Sequence, residues 1–507
     1  MTFEKIPSTL KNPLFYVEVG DPIGAGEDVK TSVIIGQRIT GQGTGTNDTP
    51  IQIFSADDAA AAAGLGSIAH RLALHYFEED KGSQEVILVP IADAGGGAKA
   101  AKTFTFSFSG GTTLTASGTI AFLVAGEKVR VNVMAGSDIA AVGAAIQAAF
   151  GADEAGAVAI GSRVPVTCAA TGGACTFTAR NAGVLGNDIR IVINYLGTPG
   201  GEVMPGNLVC DTYDEFLASG SGIPDITAAL LALSPYAIFG LIEPHYTADE
   251  LLEKLNEFAD RWDWDISTFG GHFFGVVKKT LAEIVGVAAV DDNLKNDLHA
   301  CGVAAARVPF DSVALCAAYA GACISSLRND PSLPVQSVRL SSLYPVRKAD
   351  RLTINELESL TAAGFATIAF DSTGVPVVSL ERTTMLKNAL GAPITGGEAI
   401  QVPYTTQYLI ESMRTYCRTA YARVKLVDDG ARTDEGVAVV TPLEIKSDVG
   451  SLADDWEGAG LIESAEQFKS ALIVERDSVN KNRVNIGVEP DLANQLRVIA
   501  VRAVPRV

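Results

Sequence analysis

Ile68-Ala-His-Arg-Leu-Ala-Leu-His-Tyr-Phe-Glu-Glu79, followed closely by Glu85-Val-Ile-Leu-Val-Pro90, decides the fold class. The first stretch reads as a helix and the second as a strand. Upstream, Val33-Ile-Ile-Gly36 reads as a buried strand and Ile51-Gln-Ile-Phe54 as a short one, with the glycine-rich loop Gly41-Gln-Gly-Thr-Gly-Thr46 between them. Ser55 stands three residues before Asp58 and opens an alanine-rich helix in a capping arrangement. Alternating β and α is the pattern of a mostly parallel sheet. The pattern resumes at Ala237-Ile-Phe-Gly-Leu-Ile242 and His272-Phe-Phe-Gly-Val-Val277. Thr247 with Glu250 and Thr353 with Glu356 make capping boxes for two further helices, and Ala366-Thr-Ile-Ala-Phe370 is a strand. Val313 to Cys323 reads as a buried core helix, too short for a membrane span.

Between the two α/β blocks the text changes. From Lys102 to about Val209 it consists of short alternating strands separated by glycine turns, with one helix near Asp138–Phe150. That spacing predicts an antiparallel β domain, entered at Gly95-Gly-Gly97 and left near Thr198-Pro-Gly-Gly201. The expected organisation is therefore a discontinuous α/β core, residues 22–98 and 207–400, with a β domain inserted at 99–206. An α+β C-terminal domain follows over 401–492. It has a long helix at Tyr404–Val424, a shorter one at Ala465–Ser470, and strands Ala471–Glu475 and Arg483–Ile486. Leu409, Met413, Tyr416, Ala420 and Val424 mark the long helix's core face.

The two ends, 1–21 and 493–507, read as extended arms. Pro13–Val19 puts Phe15, Val17 and Val19 on one face, and the last stretch puts Val498, Ala500, Arg502 and Val504 on one side. Ends ordinarily fray unless something pairs with them. β-formers at both ends point to strands exchanged within an assembly.

Composition is that of a globular chain: 47% hydrophobic, 19% charged, net charge −20. Such acidity argues against direct nucleic-acid binding, which leans on Lys and Arg, and keeps free subunits soluble. No apolar leader is read at the N-terminus, so no export signal is expected. None of the seven cysteines forms Cys-x-x-Cys. Cys168 and Cys175 flank a hairpin turn and are expected close together, as thiols. His70 and His75 share a helix about 140° apart and cannot jointly face one metal. The loop at Gly41–Thr46 lacks the dinucleotide spacing, and no P-loop lysine follows any glycine run. Neither catalytic site, metal nor cofactor is expected. Arg414, Arg418 and Arg423, with Lys425 and Arg432, make a local basic strip suited to an acidic partner.

Phe3-Glu-x-Ile-Pro-Ser-Thr-Leu-Lys-x-Pro-Leu-Phe-Tyr-Val-Glu-Val19 resembles the opening of the contractile tail sheath proteins of Mu-like phages. Val33–Gln37, Leu185-Gly-Asn-Asp-Ile-Arg190 with Asn194-Tyr195, Tyr344-Pro-x-x-x-Ala-Asp-Arg351, Val440-Thr-Pro442, Ile473–Arg476 and Pro490–Arg497 also resemble that family, in order. The resemblance implies a subtilisin-like core topology without protease activity, and a subunit of stacked hexameric rings around a tail tube. It implies linkage through exchanged terminal strands, an outward β domain and an inward C-terminal domain, on which the basic strip makes Arg414, Arg418 and Arg423 the candidate tube-facing residues. Implied partners are further copies, the tail tube protein, and baseplate and tail terminator proteins. The implied place is the virion tail, assembled in a bacterial cytoplasm, without membrane insertion. A sheath from a contractile bacteriocin or secretion system is the alternative, and an α/β enzyme a more distant one.

Overall fold

The computed structural model describes residues 31–82, 85–151, 163–245, 271–278, 280–290, 296–388, 390–394, 398–432, 434, 436–499 and 501–502. Phe15, Val17, Val19, the expected Thr247 capping box, Ala500 and Val504 lie outside them.

Near-continuous apolar runs build the centre. Strands β1 (Thr31–Gln37), β2 (Ile51–Ile53) and β3 (Glu85–Ile91) open an eight-stranded sheet. It is completed, after a long excursion, by β12 (Ile238–Ile242), β13 (His272–Lys278), β14 (Ala300–Ala305), β15 (Ala366–Phe370) and β16 (Pro376–Leu380). The order is β16-β15-β14-β13-β12-β1-β3-β2, so β1 receives β3 on one side and β12 on the other. Pairing is parallel throughout except at the two edges, β2 and β16. Buried strands of this kind need cover on both faces. One face carries α1 (Ala56–Ala63), α2 (Ile68–Glu79) and the later helix Ser312–Asn329. The other carries the short helix Thr227–Ala232 through Ala229 and Leu230.

Local signals explain the helices. Ser55 Oγ accepts from Asp58 N at 3.2 Å, and Asp311 accepts from Ala314 N at 3.1 Å to cap the helix that buries Val313–Cys323. Gly321 lets that helix approach α2, since a Cβ there would sit 3.0 Å from the Tyr76 carbonyl oxygen. Strand β14 escaped the sequence reading because Ala-Cys-Gly-Val-Ala-Ala lacks bulky β-formers, and its place is set by neighbours on both sides.

The excursion between β3 and β12 folds into two four-stranded sheets. Strands β4 (Ala101–Phe108), β5 (Gly118–Val124), β6 (Glu127–Val133), β7 (Val166–Thr171), β8 (Ala174–Ala179), β9 (Arg190–Ile193), β10 (Leu208–Cys210) and β11 (Asp214–Phe216) pair as β10-β4-β8-β7 and β11-β9-β5-β6. Helix α3 (Ile139–Ala149), capped by Asp138, packs beside them. Phe104, Phe106, Phe122, Phe150 and Phe177 meet in the common core, mostly edge to face. The pairing runs past residue 206, because β10 and β11 belong to these sheets and Ala98 and Ala101 bridge to Ser221 and Ala218. Thr198–Gly200 is a turn within the excursion, not its exit.

After α4 (Thr227–Ala232) and α5 (Leu281–Val290) come α6 (Ser312–Asn329) and α7 (Ile354–Ala362), the latter with the expected Thr353–Glu356 capping box. Helix α8 (Gln401–Ala420) joins the two remaining bodies. Its first turns are held in the core, where Tyr404 packs 4.5 Å from Phe239 and donates to the Phe239 carbonyl at 2.7 Å. Its later turns bury Leu409 and Met413 among Ile445, Val449, Ala453, Trp456 and Phe468. The expected face was partly misplaced: Cys417 and Tyr421 continue it, whereas Ala420 is exposed. Helix α9 (Pro442–Gly458), not foreseen, starts at a Thr441–Glu444 capping box with Pro442 at its first position. Helix α10 (Ala465–Ala471) leads into an antiparallel pair, Ile473–Arg476 with Val484–Gly487. No ladder includes residues 493–499 or 501–502, because an extended segment becomes a strand only with a partner.

Candidate assembly surfaces

The C-terminal arm is tied down at its root and bare beyond it. Ile462 bridges Leu492, Glu463 N donates to Asp491 O at 2.8 Å, and Ala493 N donates to Leu461 O at 3.0 Å. Asn494 donates through its backbone and side chain to Glu463 Oε1. Leu496, Val498, Ile499 and Val501 are then 71–83% exposed, and Arg502 is exposed as well. An apolar run left this open marks an interaction site. Close by in sequence, Ile473–Arg476 and Val484–Gly487 form a sheet of two strands among the described residues, so each strand stands at a sheet edge.

The basic strip divides into a half-buried and an exposed part. Arg414 is only 13% exposed along its side chain and lies 3.5 Å from Glu411, one turn earlier. Arg418 and Arg423 are exposed, as are Lys425 and Arg432, with Asp428 and Asp429 nearby in sequence. Only the outer arginines are available to a partner.

A third cluster joins the inserted sheets to the core. Arg190, at the start of β9, donates through Nε and Nη2 to Asp214, 2.7 Å each, and through Nη1 to the Arg307 carbonyl at 2.7 Å. Burial opposes its charge, but Asp214 and Asp350 raise the Arg190 pKa above its ordinary value. The Tyr195 hydroxyl donates to Asp350 Oδ2 at 3.0 Å and accepts from Arg347 N at 3.0 Å. The Arg347 guanidinium lies 4.6 Å from the Tyr195 ring centre, and Tyr344 meets that ring edge to face. Deeper in, Lys278 donates to the Asp188 carbonyl at 2.8 Å, and burial pushes its ammonium down to about 8. Arg71 grips Asp311 with both nitrogens, and Asp311 stays ionised despite burial. Asp188, Arg190, Tyr195, Tyr344, Arg347 and Asp350 of this cluster belong to the Leu185–Tyr195 and Tyr344–Arg351 stretches, whose residues carry a family resemblance but no role legible in the sequence. The available signal was a charged residue heading the apolar run Arg190-Ile-Val-Ile193.

Burial lowers His75 to about 3 and His70 to about 4, keeping both neutral in the core. Among the described residues no group of three or more His, Cys, Asp or Glu is placed to hold a metal ion. Cys168 and Cys175 lie on the paired strands β7 and β8, both buried and both free. Among the described residues no helix is long and apolar enough to cross a membrane.

Residues 398–505 match the phage tail sheath C-terminal domain. Over 504 residues the chain is 28% identical to the Mu-like prophage FluMu tail sheath protein of Haemophilus influenzae, covering 99% of this chain and 98% of that one. Among solved structures it is similar to the sheath tail protein of Desulfitobacterium hafniense, with 13% identity, TM-score 0.44, and coverage of 94% and 100% of the two chains. A chain of the anti-feeding prophage baseplate in its contracted state gives 12% identity, TM-score 0.48 and 98% coverage of each. The chain thus carries a phage tail sheath C-terminal domain at its end and is similar, end to end, to a Mu-like prophage tail sheath protein.

Proposed function

We propose that this chain polymerises as stacked hexameric rings around a tail tube and contracts to drive the tube through a host envelope. The observation that carries the reading is the C-terminal arm, anchored through residue 497 and bare from Val498. Burying each of Val498, Ile499 and Val501 in a neighbour contributes about 1.5–3 kcal/mol. A strand laid on the open Ile473–Arg476 or Val484–Gly487 edge would also satisfy backbone groups on both chains. The N-terminal arm, with Phe15, Val17 and Val19, completes the exchange from the other end. Such joints hold while the bodies they link rotate, and contraction becomes a downhill passage to a lattice with more buried interface, without nucleotide.

In this reading the inserted sheets face outward, and Arg418 and Arg423 turn toward an acidic tube. Further copies, tube, baseplate and tail terminator proteins are the partners, in a virion assembled in the bacterial cytoplasm. Electron microscopy of the purified full-length chain tests the reading. Long hollow cylinders support it; discrete closed particles under all conditions refute it and favour an α/β enzyme.

A further inference from the structure

We infer that Glu381 and Gln401 form a socket for Arg497 that fixes the root of the C-terminal arm to its own subunit, so that exchange starts at Val498. The inference rests on the exchanged-arm reading given above. Glu381 follows β16 directly and is fully buried. Its Oε1 accepts from Val335 N at 3.0 Å, from Gln401 Nε2 at 2.6 Å and from Arg497 Nη1 at 2.6 Å. Arg497 Nη2 donates to Gln401 Oε1 at 3.2 Å, while Gln401 Nε2 also reaches the Leu333 carbonyl at 3.1 Å. Among the described residues, Arg497 is the one cation in ion-pair contact with Glu381.

Arg497 stands between exposed neighbours, Leu496 on one side and Val498 on the other. Among the described residues after Gln495 it is the one that is not exposed. Withdrawing it would strand a carboxylate buried in the core, a state far costlier than the loss of an exposed ion pair. The preceding ties, at Leu461, Glu463 and Leu492, lie within the C-terminal domain. The socket instead lies where the edge strand β16 and the first turn of α8 meet. A pull on the arm by a neighbouring subunit therefore passes through Arg497 into the central sheet. Glu381, Gln401 and Arg497 are positioning residues: they set where the free arm begins and which body it moves with.

Limited tryptic digestion of soluble full-length subunits, read by mass spectrometry, reports on the socket directly. Cleavage after the exposed Arg502 should be fast, and cleavage after Arg497 at least about tenfold slower, since it requires local opening. Glu381→Gln should remove most of that difference while leaving the Arg502 rate unchanged. Equal cleavage at Arg497 and Arg502 in the wild type overturns the inference. Assembly supplies the second readout. Arg497→Gln should lower the yield of pelleted polymer at least about tenfold, because an unfixed arm must be ordered in each joint. A chain ending at Arg497 should form none. Wild-type polymer yield from Arg497→Gln, with none from the shortened chain, rejects the anchor but keeps the exchanged arm. Normal polymer from the shortened chain rejects both.

Discussion

The Tyr195 hydroxyl lies 3.0 Å from Asp350 Oδ2, across 155 residues of sequence. It thereby ties the inserted sheets to the core at the point where two of the family-like stretches, Leu185–Tyr195 and Tyr344–Arg351, meet. Both residues are buried. Arg190 reaches the same Asp350 carboxylate at 3.6 Å and Arg347 at 2.7 Å, so one carboxylate holds charges from both bodies.

Removing parts of this joint should cost stability in a graded way. Tyr195→Phe removes one of the donors to Asp350 Oδ2 and the hydroxyl that accepts from the Arg347 amide, and should cost about 1–3 kcal/mol. Asp350→Ala leaves the buried Arg190 with fewer counter-charges and should cost about 3–5 kcal/mol. Thermal unfolding of soluble subunits measures both. An unchanged midpoint for Asp350→Ala would show that the joint does not hold the bodies together.

The limits of the insertion can be tested by excision. Gly97 and Gly222 approach so closely that a Cβ on Gly222 would lie 3.0 Å from Gly97 Cα. We expect replacement of 98–221 by a short Gly/Ser linker to give a soluble, folded core that still polymerises into thinner cylinders. Replacement of 99–206 alone should aggregate, because β11 and the Ala218 bridge lose β9 and Ala101. Soluble, cooperatively melting protein from the shorter excision would contradict this.

Acid should weaken the subunit through its buried histidines. Burial holds His75 at about 3, and His70 and His299 at about 4, against an ordinary value of 6.5 in the unfolded chain. Between those limits the unfolded chain binds more protons, so stability falls as pH falls through about 6.5 toward 4. Each such proton contributes a slope of up to about 1.4 kcal/mol per pH unit. Unfolding midpoints of wild type and His75→Gln between pH 7.5 and 5 should converge as pH falls. Parallel curves would mean that His75 is not held neutral.

Legibility followed the type of signal. Capped helices and bulky strands were plain in the sequence: Ser55, Thr353, β3, β12 and β13 stand where their residues indicated. Strand β14 is hidden because small residues become a strand only between partners, and α9 because Pro442 and Gly450 read as breaks in its helical pattern. Burial of Arg414 beside Glu411 depends on how α8 rotates against α9, which helical spacing on one segment does not set. The Arg497 socket lay beyond reach for a similar reason, since Glu381 and Gln401 are distant in sequence and meet only in the fold.

The basic strip gives a prediction that separates its members. Arg418→Glu with Arg423→Glu should spare tube-free polymerisation but impair co-assembly on purified tail tubes, most at low salt where screening is weak. Each pair contributes only about 0–1 kcal/mol, so the effect depends on repetition along the lattice. Arg414→Glu should instead lower the subunit's own unfolding midpoint, since it sets a second carboxylate against Glu411. Equal tube binding by the double variant and wild type in a co-sedimentation assay at low salt would remove the strip from the tube interface.

We propose that copies of this chain are joined by exchanged arms. Electron microscopy of the full-length chain beside chains lacking residues 1–20 or 498–507 tests it most directly, with circular dichroism confirming that all three are folded. We expect cylinders from the full-length chain alone and dispersed, folded subunits from both shortened ones. Normal cylinders from either shortened chain would contradict the claim.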